Sequence, residues 1–133
     1  RPSGARPTTV LFGDSITQHS FEDGGWCASV ADLLSRRSDV VNRGYGGYNT
    51  RWARHLLPSM FPEEEIDEHR HLLVTCWFGA NDAAAPGEKA HVPLDEFADN
   101  LRHILRRLRG VRGVAGDERG TGSVSGGRAG AGR

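Results

Sequence analysis

Three short apolar runs along the chain predict three β-strands. They cover Thr8–Phe12, Val40–Val41 and Leu72–Phe78, and each run ends at glycine or polar residues. Short β-branched and apolar runs with such boundaries are typical of buried strands. The third run is apolar along most of its length, which predicts a strand buried on both faces, as strands of parallel sheets are.

Apolar positions at helical spacing predict one helix after each strand. The first helix covers Trp26–Leu34, and the third covers Pro93–Leu108, whose apolar residues recur every three or four positions. The second helix begins near Thr50 and is expected to end at Leu57, because Pro58 lacks a backbone donor and clashes with the preceding turn. Alternating strands and helices predict right-handed crossovers and a parallel sheet between two helical layers.

The composition divides the chain into three regions. Residues 1–7 are predicted to be a disordered N-terminus, residues 8–109 a partial domain, and residues 110–133 a Gly/Arg-rich disordered tail. Nine of the last 24 residues are glycine and the largest apolar side chain among them is valine, so this stretch buries too little apolar surface to offset the entropy of ordering it. A flexible linker to a further domain is the alternative. The charged run Glu63–His71 is predicted to be a solvated connection.

Charge and cysteine content limit the possible partners and compartment. Seventeen basic residues balance seventeen acidic ones, so the overall field gives no reason to expect nucleic acid or an anionic membrane as a partner. No apolar run approaches the roughly 18 residues that span a bilayer. Cys27 and Cys76 both lie in apolar stretches, which favours reduced cysteines over a disulfide. The sequence therefore predicts a cytoplasmic protein, although Arg1 in place of methionine leaves the true start open.

Polar clusters follow all three predicted strands. Gly13-Asp14-Ser15 follows the first strand, a glycine loop containing Gly47 follows the second, and Gly79-Ala80-Asn81-Asp82 follows the third. Because parallel strands end at the same edge of a sheet, we expect these clusters to meet there. A serine at such a turn could attack an ester carbonyl, and a backbone N–H in a glycine loop together with an Asn amide could stabilise the oxyanion. Ser15, Gly47 and Asn81 are therefore the candidate catalytic residues.

Each cluster also has a purely structural explanation. Glycine loops are common turns, and Asn-Asp after a strand often caps a helix. Asp14 and Asp82 are expected to support their turns by accepting hydrogen bonds from backbone N–H groups. Tyr45 and Tyr48, on the glycine loop, are candidates for lining an acyl or alcohol pocket. No metal site is predicted, because too few histidines and cysteines lie together.

Three sequence blocks resemble those of the SGNH (GDSL-type) serine hydrolase family. Gly13–Thr17 resembles the nucleophile block, Asn42–Gly47 the glycine block, and Gly79–Asp82 the block that contains the oxyanion asparagine. The residues around them are similar to the isoamyl acetate-hydrolysing esterase branch. The resemblance implies a three-layer αβα, flavodoxin-like fold, here incomplete with about three parallel strands.

The same resemblance implies a chemistry. Ser15 would be the nucleophile, and its own N–H, the Gly47 N–H and the Asn81 side chain would form the oxyanion hole. The substrates would be small carboxylic esters, and no cofactor would be needed.

The chain departs from the family pattern in one respect. Members of the family carry a catalytic Asp and His in an Asp-x-x-His block near the C-terminus, and these 133 residues contain no such block. We therefore expect weak or no esterase activity from this chain. A non-catalytic α/β binding module or regulatory isoform is the alternative. A nucleotide-binding domain is disfavoured, because the loop after the first strand has no lysine or second glycine nearby.

Overall fold

The computed structural model describes residues 4–62 and 70–109. In chain order the elements are β1 (Thr8–Gly13), α1 (Ser15–Gln18), α2 (Trp26–Leu33), β2 (Asp39–Gly44), α3 (Thr50–Met60), β3 (His71–Trp77) and α4 (Leu94–Arg109). The predicted tail, most of the predicted charged connection and residues 1–3 lie outside the described residues. Residues 4–7 have no regular secondary structure, and the Pro7 carbonyl accepts a hydrogen bond of 3.0 Å from the N–H of Asp39.

The three strands form one parallel sheet in the order β2-β1-β3. Gly13 at the end of β1 lies beside Gly44 of β2 on one side and beside Trp77 of β3 on the other. The predicted parallel sheet is therefore confirmed. Its register brings the loops that follow the three strands to one edge.

Helices cover both faces of this sheet. Val10, Phe12 and Val74 pack against α3 and α4 and form the core with other buried residues, namely Ala53, Leu57, Phe61, Phe78, Ile104 and Leu108. Leu11 points to the opposite face because side chains alternate along a strand. It is fully buried, as is Cys27 of α2 on this second side. The result is a three-layer αβα arrangement in which β1 is central and covered on both faces.

The prediction that β3 is buried on both faces is wrong. Leu72 is 43% exposed and Trp77 is 51% exposed. Within the described residues β3 pairs only with β1, so it is an edge strand, and Val74 is its only fully buried residue. Its apolar sequence alone does not reveal its position in the sheet.

The second helix does not end at Leu57 as predicted. α3 continues through Pro58 to Met60. Leu57 and Phe61 on either side of the proline are both buried in the core, and the N–H of Phe61 donates to the Leu57 carbonyl at 2.8 Å. Packing of these two side chains thus offsets the hydrogen bond that Pro58 cannot make. The one-turn helix α1 was not predicted, since four residues are too few to show a periodic pattern.

Candidate active site

Ser15 is the first residue of α1 and lies just beyond the end of β1. The fully buried Asp14 caps this helix, its Oδ1 accepting a hydrogen bond of 2.9 Å from the N–H of Ile16. A Cβ at Gly13 would lie 2.7 Å from the Trp77 carbonyl oxygen and would overlap Thr17, so only glycine permits this sharp turn. Ser15 is half-buried, and its hydroxyl makes no hydrogen bond within the described residues. The turn therefore presents, at the edge of the sheet, a hydroxyl that has no hydrogen-bond partner among the described residues.

The loop after β2 packs against α1. A Cβ at Gly44, the last residue of β2, would overlap the backbone N of Gln18, so α1 and the end of β2 are in direct backbone contact. The N–H of Gly46 donates to the Gln18 Oε1 at 2.5 Å. A Cβ at Gly46 would lie 3.8 Å from the Cβ of Ser15. The glycine loop thus lies beside the predicted nucleophile.

Gly47 has a backbone conformation that favours glycine. Its φ is +78°, in the left-handed region, and a Cβ placed on it would meet no atom within 4 Å. The requirement for glycine is therefore conformational rather than steric. No hydrogen bond from the described part of the chain engages the N–H of Gly47 or that of Ser15. Both donors remain available to a ligand.

Asn81 lies in the loop after β3 and contacts the glycine loop. Its Nδ2 donates a hydrogen bond of 2.8 Å to the Tyr48 carbonyl. This bond uses one of the two N–H groups of the amide. The second N–H can donate elsewhere, and the bond to Tyr48 sets the orientation of the amide plane.

Asp82 connects the loop after β3 to the start of α3 through hydrogen bonds. It is 4% exposed, and its carboxylate accepts hydrogen bonds of 3.0 and 3.2 Å from the N–H of Thr50 and a further short one from the Thr50 hydroxyl. The Thr50 hydroxyl oxygen also accepts from Nδ2 of Asn100 at 3.2 Å. Asp14 and Asp82 thus both accept hydrogen bonds from backbone N–H groups.

The polar residues around Asp82 include three that the sequence did not single out. Asn49 caps α3 through its Oδ1, which accepts from the N–H of Trp52 at 3.0 Å, and its Nδ2 donates to the Ala90 carbonyl at 2.8 Å. A capping asparagine directly before the predicted helix start is a signal that could have identified it. Thr50 and Asn100 complete the set, and no local pattern marks Asn100, which lies within an amphipathic helix.

The two candidate pocket tyrosines lie in one aromatic group. Their ring centroids are 5.3 Å apart, and Tyr45 also packs edge-on against Phe12. Tyr45 lines a cavity of about 430 Å³ between the sheet and the C-terminal half of α3. Tyr48 and the three candidate catalytic residues do not line this cavity.

An apolar surface that is separate from this cavity lies next to Ser15. Ile16 is 41% exposed, and its carbonyl accepts a hydrogen bond of 3.2 Å from the Trp26 indole. The Trp26 and Trp77 rings are 5.9 Å apart. Trp77 is 51% exposed at the edge of the sheet that carries Ser15.

Histidines and cysteines of the described ranges form no second reactive centre. No group of three or more His, Cys, Asp or Glu side chains there could hold a metal ion. Nδ1 of His19 lies 2.8 Å from the Glu22 carboxylate, on the surface. Both cysteines are free, and burial raises the pKa of the Cys76 thiol to about 12. No helix in residues 4–62 and 70–109 is long and apolar enough to cross a membrane.

Solved structures share the arrangement of sheet and helices. AlinE4, an SGNH-hydrolase family esterase, superposes with a TM-score of 0.62 at 20% identity, covering 81% of this chain and 56% of that one. A catalytic mutant of Axe2, an acetylxylan esterase from Geobacillus stearothermophilus, gives a TM-score of 0.64 at 23% identity, covering 84% and 58%. At these identities the likeness shows the fold. The predicted SGNH-type α/β fold is therefore confirmed.

Sequence relatives are much closer. An isoamyl acetate-hydrolyzing esterase 1 homolog from Bos taurus is 54% identical over 108 residues, which make up 79% of this chain and 43% of the bovine protein. A GDSL esterase/lipase from Arabidopsis thaliana is 51% identical over 107 residues, or 78% of this chain and 43% of the plant protein. This chain therefore spans less than half the length of these relatives. Because the GDSL-like lipase/acylhydrolase family also matches from residue 11 to residue 124, the chain belongs to that family.

Proposed function

We propose that this chain carries the nucleophile and oxyanion hole of a serine esterase that acts on small carboxylic esters. Ser15 is the nucleophile, and the oxyanion is held by its own N–H, the Gly47 N–H and the Asn81 side chain. The proposal rests mainly on one observation within the described ranges. At one edge of the sheet, an unpaired hydroxyl adjoins a glycine loop with an unpaired N–H, and an oriented amide is bonded to that loop.

The reaction uses these groups in turn. Oγ of Ser15 bonds to the ester carbonyl carbon while its proton passes to solvent water, and the carbonyl oxygen becomes an oxyanion. The oxyanion then re-forms the carbonyl as the C–O bond to the alkoxide breaks, and the alkoxide takes a proton from water and leaves as the alcohol. Water later cleaves the acyl-serine. Donors fixed before the reaction stabilise the oxyanion without reorganisation, and losing one such donor typically costs about 10²–10³ in turnover.

The proton of the Ser15 hydroxyl also needs an acceptor. These 133 residues contain no Asp-x-x-His, and His19 is bonded to Glu22 on the surface. In serine proteases, loss of the base lowers turnover by about 10⁶, while the oxyanion hole and binding retain about 10³–10⁴ over water. For these 133 residues taken alone we therefore propose slow, Ser15-dependent chemistry. A non-catalytic ester-binding role is the alternative.

The class of ester is proposed from two sources. The name of the bovine relative indicates an ester with a short acyl group and a branched aliphatic alcohol. The exposed apolar surface formed by Ile16, Trp26 and Trp77 could receive such an aliphatic group next to Ser15. A cytoplasmic location belongs to the same proposal and is supported by the two free cysteines.

Hydrolysis of p-nitrophenyl acetate tests the proposal. We expect the chain to exceed its Ser15→Ala variant by a small but measurable margin, with Asn81→Ala intermediate. Turnover at ordinary enzyme rates, about 1–10³ s⁻¹, would contradict the proposed weakness. Saturable binding of an ester with no reaction at Ser15 would favour the non-catalytic role.

A further inference from the structure

Gln18 contacts β2 and the glycine loop after it in three ways. It is the last residue of α1, so it lies one helical turn after Ser15. Its backbone N is in direct contact with Gly44, its carbonyl accepts a hydrogen bond of 3.0 Å from the Asn42 Nδ2, and its Oε1 accepts one of 2.5 Å from the Gly46 N–H. One residue therefore connects the nucleophile helix to Asn42 and Gly44 in β2 and to Gly46 in the glycine loop that follows.

The bond to Gly46 matters because Gly47 is the next residue along the chain. The peptide unit between Gly46 and Gly47 carries the N–H proposed for the oxyanion hole. Two consecutive glycines leave this unit free to rotate unless it is held. Gly46 and Gly47 are both exposed, so core packing does not hold them. The Gln18 side chain fixes the Gly46 N–H, which lies in the preceding peptide, and the Tyr48 N–H, which lies in the following peptide, donates to the Tyr45 carbonyl at 3.1 Å.

We propose that Gln18 is a positioning residue, which holds the Gly46–Gly47 peptide so that the Gly47 N–H points toward Ser15. This inference rests on the proposed function, because it assigns a role to Gln18 through the oxyanion hole. Gln18 itself is exposed, and an exposed hydrogen bond contributes little to folding. Its removal should therefore lower affinity for an oxyanion without a matching loss of stability.

Phenylboronic acid is a suitable probe because it needs no general base. Oγ of Ser15 donates an electron pair to boron, the hydroxyl proton passes to the buffer, and the resulting tetrahedral boronate anion presents one of its hydroxyl oxygens to the oxyanion hole. Binding is measured by ¹¹B NMR for the full chain and for Ser15→Ala, Gln18→Met and His19→Ala. Methionine keeps the length of the side chain and removes the acceptor. His19→Ala is the matched control, since His19 is the next exposed residue and its ring bonds to Glu22 instead.

We expect Ser15→Ala to abolish binding and His19→Ala to leave it unchanged. Gln18→Met should weaken binding about tenfold, which is a smaller effect than deletion of an oxyanion donor. Amide hydrogen exchange supplies a second readout, with faster exchange at Gly46 in Gln18→Met only. Gly46→Ala covers the case in which Gln18→Met fails to fold: the added Cβ would lie 2.6 Å from the Gln18 Oε1 and 3.8 Å from the Ser15 Cβ, so it displaces the glutamine and spares the serine.

The outcomes separate the two proposals. One outcome is that binding of phenylboronic acid depends on Ser15 but stays within twofold of the parent chain in both Gln18→Met and Gly46→Ala. This outcome would overturn the role of Gln18 and leave the oxyanion hole standing. Equal weakening by His19→Ala would also overturn the role of Gln18. Absence of binding by the parent chain would overturn the oxyanion hole and the role of Gln18 with it.

Discussion

Removal of the Asp82 carboxylate should destabilise the chain strongly, although Asp82 contacts no reacting group. Asp82 is 4% exposed and accepts both the N–H and the hydroxyl of Thr50. In Asp82→Ala these two buried donors lose their acceptor. A hydroxyl or amide buried without a partner costs about 1–3 kcal/mol, so for the two donors we expect a loss of about 2–6 kcal/mol in the free energy of unfolding.

Urea denaturation monitored by tryptophan fluorescence measures this loss, because Trp52 lies in the first turn of α3 next to Thr50. Asp99→Ala is the control: Asp99 pairs with Arg54 at 3.1 Å, but its side chain is 67% exposed, and such pairs contribute less than about 1 kcal/mol. Asp82→Asn should fall between the two variants, since it keeps one acceptor oxygen. A loss in Asp82→Ala no larger than in Asp99→Ala would refute the account of this buried network.

Two further predictions concern titratable groups. Burial raises the pKa of the Cys76 thiol to about 12, so iodoacetamide at pH 8 should alkylate Cys76 slowly in the folded chain and rapidly in urea. Mass spectrometry measures both rates, and equal rates would contradict the burial of Cys76. Burial and then Arg70 lower the pKa of His71, so the folded state disfavours its protonation and stability is lost as the pH falls below about 6.5. The unfolding free energy of His71→Phe should therefore decrease less between pH 7 and pH 5 than that of the parent chain, and an equal decrease would contradict this assignment.

Local patterns were sufficient to predict three strands, their parallel pairing and the edge where the loops meet, although β2 extends over Asp39–Gly44 rather than over Val40–Val41 alone. Each strand run ends at a glycine cluster, and parallel order is a consequence of the helices between them. The family resemblance, which the match to the GDSL-like family confirms, came from the same clusters. These signals are local in sequence, and the chemistry they indicate lies at strand ends.

Features that depend on tertiary packing could not be predicted in this way. The exposure of Trp77 depends on how many strands flank β3, and the passage of α3 through Pro58 depends on the burial of Leu57 and Phe61. The contact between Gln18 and Gly46 joins residues 28 positions apart, and neither residue has a pattern that indicates the other. Asn100 likewise reaches Thr50 only because α3 and α4 pack together.

The central claim is that Ser15 is a nucleophile facing a formed oxyanion hole. Incubation with p-nitrophenyl acetate and then peptide mass spectrometry test it directly, because attack by the Ser15 hydroxyl leaves an acetyl group whose mass and position identify the nucleophile. The account predicts an acetyl group on Ser15, diminished in Asn81→Ala. Acetylation confined to Lys89 and the amino terminus, at the same level in the parent chain and in Ser15→Ala, would contradict it.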